Sequence, residues 1–260
     1  MKYDEIGCRT APSPMKHKPL GGLDAMTLRF LALGLMLMDH MWATIVPGNM
    51  WMTYVGRLAF PIFAFQVTEG FFYTSDRKKY MKRLLLFGLL SEIPFNLIMT
   101  ASVIFPFHQN VMFTLLLGLM CIDTLETMKR NRSGKIIVIT ILKIMLYLFI
   151  GTVGFVDYGV TGILTILAFY LFRNFKFAWI GQFVSLLLLF IIFFKGQSIV
   201  IPIFGTEYFF PIQGFGILSL IPIWLYNGEL GRKNKAIQYG FYLFYPVHML
   251  LLYIIYRLVF

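Results

Sequence analysis

The sequence predicts an all-α fold: a polytopic transmembrane helix bundle of about nine spans, N-in and C-out. Three observations predict it, namely the apolar composition, the length of the apolar runs and the placement of Lys and Arg. Of the 260 residues, 58% are hydrophobic and 13% are charged, whereas soluble domains are about half apolar and a quarter charged. So much apolar surface with so few charges requires lipid as its solvent.

The length of the apolar runs favours helices over barrel strands. Lipid offers no hydrogen-bond partner to exposed backbone groups, so a span is either a helix or part of a closed barrel. Most runs extend for about 17–24 residues without alternation, which is the helical pattern. The predicted helices occupy residues 23–46, 50–73, 81–100, 111–128, 135–151, 158–172, 177–194, 211–226 and 239–260.

The distribution of Lys and Arg sets the predicted orientation. Eighteen of the 23 Lys and Arg lie in the basic N-terminal tail or in loops on the same side, and two, Lys195 and Arg257, lie on the other. Because cytoplasmic loops carry the excess of Lys and Arg, that side is the cytoplasm. Residues 1–20 are therefore predicted to be a cytoplasmic basic tail, and residues 21–260 a single transmembrane domain. The net charge of +11 follows from this topology, and no nucleic-acid partner is predicted.

Ionisable residues inside the first two predicted helices point to a catalytic cluster. Asp39 and His40 lie near the outer end of the first helix, and Arg57 lies at a similar depth in the second. Ionisable side chains in a membrane usually face a cavity or a partner, because burial in hydrocarbon costs several kcal/mol. The functional interpretation is an acid–base and charge-stabilising site. The packing interpretation is an Asp–Arg bridge between two helices.

Further polar residues in the outer half are candidates for an acceptor or polar pocket. They are Glu92, Asn96, His108, Asn110, Asp157, Gln213 and His248. Each also has a packing interpretation: Glu92 can bond a neighbouring helix, Asp157 can cap its own, and His248 can be a satisfied core histidine. Cys8 and Cys121 form no metal-binding motif, and no metal is predicted.

Basic residues near the cytoplasmic helix ends are candidates for binding a phosphorylated co-substrate. They are Arg29, Lys82, Arg83 and Lys143. Phosphate groups that arrive from the cytoplasm favour such charges. The alternative is that these long side chains extend to the membrane surface without a ligand.

At these residues the sequence resembles the TraX family of membrane acetyltransferases. The matching segments are GLDAMTLRFLALGLMLMDHMWA from Gly22, GRLAFPIFAFQVTEGFFYTSD from Gly56, KYMKRLLLFGLLSEIPFNL from Lys79, NVMFTLLLGLM from Asn110, DYGVTGIL from Asp157 and YLFYPVHMLLLY from Tyr242. They cover most of the chain in order, and their combination is specific although each alone is weak. The long basic tail is a departure from the family pattern.

The resemblance implies acetyl transfer from acetyl-CoA in a bacterial cytoplasmic membrane. It implies an acceptor such as the N-terminal amine of a pilin-like peptide, or another amine or hydroxyl. In related transmembrane acyltransferases a histidine of the first helix works with an arginine of the next, which corresponds to His40 and Arg57 here, with Asp39 in the same motif. The expected partners are thus membrane lipid, acetyl-CoA and the acceptor.

Two other functions are compatible with the polar residues. One is a small-molecule or proton-coupled transporter, although no internal repeat is apparent. The other is an assembly factor for a conjugation apparatus, whose polar residues only pack helices. Time-dependent transfer or hydrolysis of radiolabelled acetyl-CoA by purified protein in lipid separates the enzyme from both.

The predicted orientation is testable with single cysteines in a chain whose native cysteines are replaced by serine. We expect Asn49→Cys and Gln109→Cys to react with an impermeant thiol reagent in intact cells, because both lie in predicted outer loops. Ser75→Cys and Asn131→Cys should react only after the membrane is permeabilised. The reverse pattern would overturn the orientation and, with it, the proposed direction of transfer.

Overall fold

The computed structural model describes residues 21–194, 196–203, 205–231 and 234–260. The predicted basic tail at residues 1–20 lies outside this part of the chain, as do Lys195, Arg232 and Lys233. The described residues are mostly helical, as the sequence predicts. The small sheet described below is a departure from the all-α prediction.

The described chain forms ten α-helices and one antiparallel pair of strands. The helices are α1 Ala25–Thr44, α2 Met50–Gly56, α3 Ala59–Tyr73, α4 Arg77–Thr100, α5 Val111–Arg130, α6 Gly134–Val153, α7 Gly159–Phe172, α8 Ala178–Leu187, α9 Leu220–Trp224 and α10 Lys235–Val259, and the strands are β1 Ser198–Ile203 and β2 Thr206–Pro211. A π-helical segment at Leu188–Phe193 continues α8, and a 3-10 helix at Ile212–Ser219 leads into α9.

Four helical segments are long and apolar enough to cross a membrane. Among the described residues they are Arg77–Thr100, Val111–Arg130, Gly134–Val153 and Ala236–Val259, judged by length and composition. Helix α6 is the most lipid-like, since only 11% of its apolar window is buried. Its outward face therefore requires an apolar solvent. Nine spans and the orientation of the termini stay predictions.

Helix α3 lies at the centre of the bundle, where it packs against α1, α5 and α7. Most of its side chains are buried, and Ile62, Ala64 and Phe71 are completely so. Helices α5 and α7 approach closely because Gly118 has no side chain: a Cβ there would lie 2.4 Å from Cδ1 of Ile166. Small residues permit this kind of contact between membrane helices.

A buried ion pair joins α3 to the end of α7. Arg173 donates from Nε to Glu69 Oε1 at 2.7 Å and from an Nη to Oε2 at 3.2 Å, with both side chains almost fully buried. Loss of one partner of such a pair typically costs about 3–5 kcal/mol, because the other charge stays buried without compensation. The pair therefore fixes the relative position of two core helices.

The second predicted helix is broken into α2 and α3 at Arg57 and Leu58, so the continuous span at residues 50–73 is wrong. Pro61 explains the break. Proline has no N–H to donate to the carbonyl four residues earlier, here that of Arg57, and its ring clashes with that carbonyl. The break places Arg57 at a helix end, where its side chain can reach α1.

Residues 198–211 form a β-hairpin, although residues 198–210 were predicted as a non-helical connection and residue 211 as the start of a helix. Ser198 pairs with Pro211 and Ile203 with Thr206. Gly205 in the turn has φ of +80°, a conformation that favours glycine. The β-branched and aromatic residues of the strands are typical of sheets, but they do not alternate with polar residues, so the usual strand pattern is absent.

Three further boundaries differ from prediction. The predicted helix at 211–226 is mostly 3-10, since Gly214 and Gly216 favour helix weakly and Pro222 interrupts the hydrogen bonds. Helices α4 and α10 begin about one turn earlier than predicted. Asp76 accepts from the Lys79 N–H and Asn234 from the Ala236 N–H, so polar caps start these helices before the apolar run.

Candidate active site

The site begins with a backbone contact between α1 and α2. Gly56, the last residue of α2, faces Asp39 so closely that a Cβ at Gly56 would lie 2.5 Å from Cβ of Asp39 and 3.0 Å from its Cα. The residue that follows, Arg57, is therefore held beside Asp39. The two helices meet at the depth that the sequence predicts.

Asp39, Thr53 and Arg57 form a closed hydrogen-bond network. Oδ1 of Asp39 accepts from the Thr53 hydroxyl at 2.7 Å and from an Arg57 Nη at 3.2 Å. Arg57 also donates to the Thr53 oxygen from Nε at 3.3 Å and from Nη2 at 3.0 Å. The Arg57 and Asp39 side chains are 23% and 18% exposed, so the pair is accessible in part. Asp39 thus neutralises the charge of Arg57 and leaves its side chain partly exposed.

His40 pairs with His248 of α10 rather than with Asp39. Nδ1 of His40 lies 2.7 Å from Nε2 of His248. The ring planes differ by 5° and their centroids are 5.0 Å apart. Stacked rings keep their atoms at van der Waals contact, about 3.5 Å or more, so the rings lie edge to edge in one plane, joined by a hydrogen bond. His40 is half-buried and His248 is buried.

Phe244 holds the His248 ring from two sides. Its carbonyl oxygen lies 2.7 Å from Nδ1 of His248, and its ring stacks on the imidazole with centroids 4.8 Å apart. Sequence reasoning identified both histidines but not their pairing, because they are separated by most of the chain.

Tyr158 is a site residue that sequence reasoning missed. It precedes α7 with φ of +61°, and its ring stacks on Phe60 with centroids 3.8 Å apart. This placement puts its hydroxyl beside the Arg57 guanidinium. The sequence feature that could have identified Tyr158 is its position directly after Asp157 in the DYG segment. Its unusual backbone conformation, which sequence does not show, directs the ring inward.

Asp157 lies just before Tyr158 and does not cap α7 with its side chain, as the packing interpretation allowed. Its Oδ1 accepts from the Tyr158 N–H at 3.1 Å and lies 3.7 Å from Nε2 of His108. The Thr114 hydroxyl donates to the Asp157 carbonyl. A backbone bridge between Gln109 and Val156 ties the same two loops. His108 and Asp157 therefore border the Arg57 cluster from the two loops that precede α5 and α7.

Glu92 and Asn110 hold α4 to the beginning of α5, and Asn96 contacts the loop between these two helices. The Asn110 amide donates to the Gly88 carbonyl at 2.8 Å and to Oε1 of Glu92, which also accepts the Asn110 backbone N–H at 3.0 Å. Asn96 donates to the Val103 carbonyl at 3.4 Å. These contacts fit the packing interpretation of the three residues.

Gln213 is buried on the 3-10 helix, and neither of its amide atoms has a hydrogen-bond partner among the described residues. The neighbouring Gly216 lies against it and against the Arg57 carbonyl: a Cβ there would be 3.0 Å from Nε2 of Gln213 and 3.1 Å from that oxygen. Gln213 therefore lies near the Arg57 carbonyl, with Gly216 in contact with both.

Two of the four predicted phosphate-binding residues converge at the opposite end of α1. Arg29 donates from Nε to Gln66 at 3.1 Å, and its guanidinium lies 4.9 Å from the Phe241 ring. Arg83 lies 5.6 Å from the Tyr80 ring and 6.0 Å from the Tyr242 ring. Both arginines act electrostatically on the hydroxyls of these two tyrosines.

The other two cations lie elsewhere. Lys82 is exposed, and exposed Lys143 lines a groove of about 230 Å³ between α4, α5 and α6. Within the described ranges, no group of three or more His, Cys, Asp or Glu side chains is arranged to hold a metal ion.

The fold and this site define an integral membrane protein with a polar centre in a helical bundle. The chain belongs to the TraX family: the family described as TraX protein matches residues 24–256. It is also similar to a probable fimbrial assembly protein, FimC of serogroup H1, from Dichelobacter nodosus. The two are 27% identical over 241 residues, which cover 88% of this chain and 93% of that protein. No solved structure matches the chain.

The His108–Asp157 contact predicts a pH-dependent stability. Interaction of its ring N–H with the Asp157 carboxylate raises the pKa of His108 above its usual value, and partial burial opposes this shift. Because the pKa is raised in the folded state, the stabilisation is fully present below about pH 6.5, the ordinary histidine value. It is lost as the pH rises through the higher folded-state pKa.

We therefore expect His108→Gln to lower the thermal unfolding midpoint more at pH 5.5 than at pH 8.5, measured in lipid or detergent. Asn227→Gln, in a distant loop, serves as a control that should show no such difference. An equal effect of His108→Gln at both pH values would contradict a charged contact with Asp157.

Proposed function

We propose that this chain is a membrane-embedded acetyltransferase, which moves an acetyl group from cytoplasmic acetyl-CoA to an acceptor reached from the outer side. The observation that carries the proposal is the pair of adjacent α1 residues Asp39 and His40: Asp39 holds a partly exposed Arg57 in an ion pair at 3.2 Å, and the next residue, His40, is half-buried. A thioester is already activated, so the protein must chiefly orient the reactants, accept a proton and stabilise charge. His40 can accept the proton, and Arg57, held by Asp39, can stabilise the charge.

In this proposal His40 is the general base. It takes a proton from the acceptor while the acceptor nitrogen or oxygen bonds to the acetyl carbon. The carbon–sulfur bond breaks, its electron pair goes to sulfur, and the proton passes from His40 to give the free thiol. Arg57 stabilises negative charge that develops on the acetyl oxygen. An acetyl group carried on His40 is a second route to the same products.

For the acceptor we propose an amine, such as the N-terminal amine of a pilin-like peptide. Two findings support this choice: membership of the TraX family, and similarity to a protein whose name describes fimbrial assembly. An amine is usually protonated at neutral pH, so it loses one proton to the solvent before attack, and His40 takes the second proton as the nitrogen bonds to the acetyl carbon. The asymmetric Lys and Arg distribution supports a location in the bacterial cytoplasmic membrane.

For the phosphates of acetyl-CoA we propose Arg29 and Arg83, because they pack against adjacent residues of α10, Phe241 and Tyr242. Their guanidiniums offer planar donors to phosphate oxygens. Arg29 and His40 lie on the same helix, about 16 Å apart along its axis. A long, narrow acyl carrier is the type of substrate that reaches both ends of such a path.

The central prediction concerns His40. We expect His40→Ala to remain folded and to bind acetyl-CoA, but to transfer the acetyl group about 10²–10⁴ times more slowly, because general base catalysis is lost. The measurement is single-turnover transfer in lipid, together with the thermal unfolding midpoint. Gly34→Ala, on the same helix with open space around it, is the matched control and should keep the wild-type rate. Near-normal transfer by His40→Ala would exclude its catalytic role.

Variants of the ion pair separate chemistry from packing. Arg57→Lys keeps the charge but loses the planar fork that bonds Asp39 and Thr53, so we expect transfer to fail. Asp39→Asn leaves Arg57 without its counter-charge and should lower stability more than rate. If Asp39→Asn instead folds like the wild type and loses only rate, Asp39 acts on the chemistry directly.

The prediction for acetyl-CoA binding compares Arg29 and Arg83 with the two exposed lysines. Arg29→Gln and Arg83→Gln should each weaken acetyl-CoA binding by about 1.5–3 kcal/mol, the typical value of a hydrogen bond to a charged group. Lys82→Gln, an exposed neighbour, and Lys143→Gln serve as controls that should bind normally. Titration calorimetry in detergent measures all four. Equal affinity in all variants would show that the phosphates bind elsewhere.

A further inference from the structure

The hydrogen bonds around His248 determine which of its nitrogens carries the proton. The Phe244 carbonyl can only accept, and it lies 2.7 Å from Nδ1 of His248. Nδ1 must therefore carry a hydrogen. In a neutral imidazole only one nitrogen is protonated, so Nε2 of His248 presents a lone pair.

This tautomer in turn determines that of His40. Nε2 of His248 lies 2.7 Å from Nδ1 of His40, with both rings in nearly one plane. Two nitrogen lone pairs would repel at that distance, so Nδ1 of His40 must be the donor. The proton of neutral His40 is thereby placed on Nδ1, and its lone pair on Nε2. Among the described residues no side chain or backbone group hydrogen-bonds to this Nε2.

We propose that His248 is a positioning residue for acetyl transfer, which acts by holding His40 in the tautomer whose Nε2 is free to react. The proposal rests on the function proposed above and adds a residue to it. It applies to either route, because Nε2 is both the proton acceptor of a general base and the nucleophile of an acetyl-histidine.

The proton balance follows from this arrangement. The acceptor N–H bond breaks and its proton moves to Nε2 of His40, while the acceptor nitrogen forms the bond to the acetyl carbon. The carbon–sulfur bond breaks and its electron pair goes to sulfur, which then receives the proton from Nε2. Throughout, Nδ1 of His40 keeps its hydrogen and donates to His248, which stabilises the transient imidazolium.

The surroundings explain why a second histidine takes this role although a carboxylate is adjacent. Oδ1 of Asp39 accepts from Thr53 and Arg57, and the bond that Asp39 could make to the neighbouring His40 is not formed. A neutral acceptor also leaves the net charge of the pocket unchanged. Phe244 fixes the acceptor by its carbonyl and its ring, so His248 has little freedom to rotate.

The experiment uses the full chain labelled with ¹⁵N-histidine in lipid bilayers. Solid-state NMR distinguishes the two tautomers by their nitrogen shifts, and the His40→Ala spectrum identifies the His40 signals among those of the four histidines. We expect wild-type His40 to be protonated at Nδ1. In His248→Phe, which keeps a ring but removes the acceptor, we expect a mixture of tautomers. Tyr245→Phe, a ring neighbour of both histidines, should leave the spectrum of His40 unchanged.

Kinetics provide the second measurement. His248→Phe should lower kcat by about 10–100-fold with little change in KM, by analogy with the loss seen when the partner that orients a metal-bound histidine is removed. His248→Gln offers an amide oxygen near the position of Nε2 and should restore most of kcat and the Nδ1 tautomer. A structural role alone would change stability and would not be rescued in this way.

The outcomes separate this inference from the proposed function. If wild-type protein transfers acetyl groups but His40 stays protonated at Nδ1 in His248→Phe with unchanged kcat, the positioning role is overturned and the acetyltransferase stands. If the tautomer depends on His248 but no acetyl transfer occurs in the wild type, the acetyltransferase is overturned. A wild-type His40 protonated at Nε2 would also overturn the positioning role.

Discussion

The close approach of α1 and α2 at Gly56 is the contact on which the site depends. It places Asp39 against the end of α2 and therefore beside Arg57. Burying an unpaired arginine inside a membrane bundle costs several kcal/mol. The pairing with Asp39 is therefore also required for Arg57 to be buried. Tyr158 and Asp157 then surround the same guanidinium from α7 and its preceding loop.

Two hydrogen-bond systems share the outer half of α1 without sharing a partner. Asp39 bonds to Thr53 and Arg57, and His40 bonds to His248. Successive helical residues point about 100° apart, so adjacent residues serve different neighbours. This separation leaves the charged pair and the histidine pair free to perform different tasks: one holds a cation in place, and the other holds a proton on a defined nitrogen.

The polar groups at the two ends of α1 differ in kind. At one end Arg29 contacts Gln66 and Phe241 while Arg83 contacts two tyrosines, and at the other end lie a carboxylate, an arginine and two histidines. Donors for an anionic group thus lie at one end, and groups that exchange or stabilise charge lie at the other. The core between them is packed around α3, with the buried Glu69–Arg173 pair holding its neighbours.

Composition and periodicity by themselves determined that this is a helical membrane protein, because an apolar chain with few charges has no other stable solvent. Side-chain chemistry also determined which residues deserved notice: Asp39, His40 and Arg57 were predicted to lie at one depth in the membrane, and in the structure Asp39 and Arg57 form an ion pair. The family resemblance identified from the motifs was confirmed by a match over residues 24–256.

Only the tertiary structure decided which groups meet. The hairpin at residues 198–211 and the inward turn of Tyr158 depend on local backbone conformation that an apolar pattern does not encode, whereas the break at Arg57 follows from Pro61. The pairing of His40 with His248 depends on how α1 and α10 pack across most of the chain length. A sequence shows that a histidine is present, but the hydrogen bond that places its proton exists only when two distant helices are side by side.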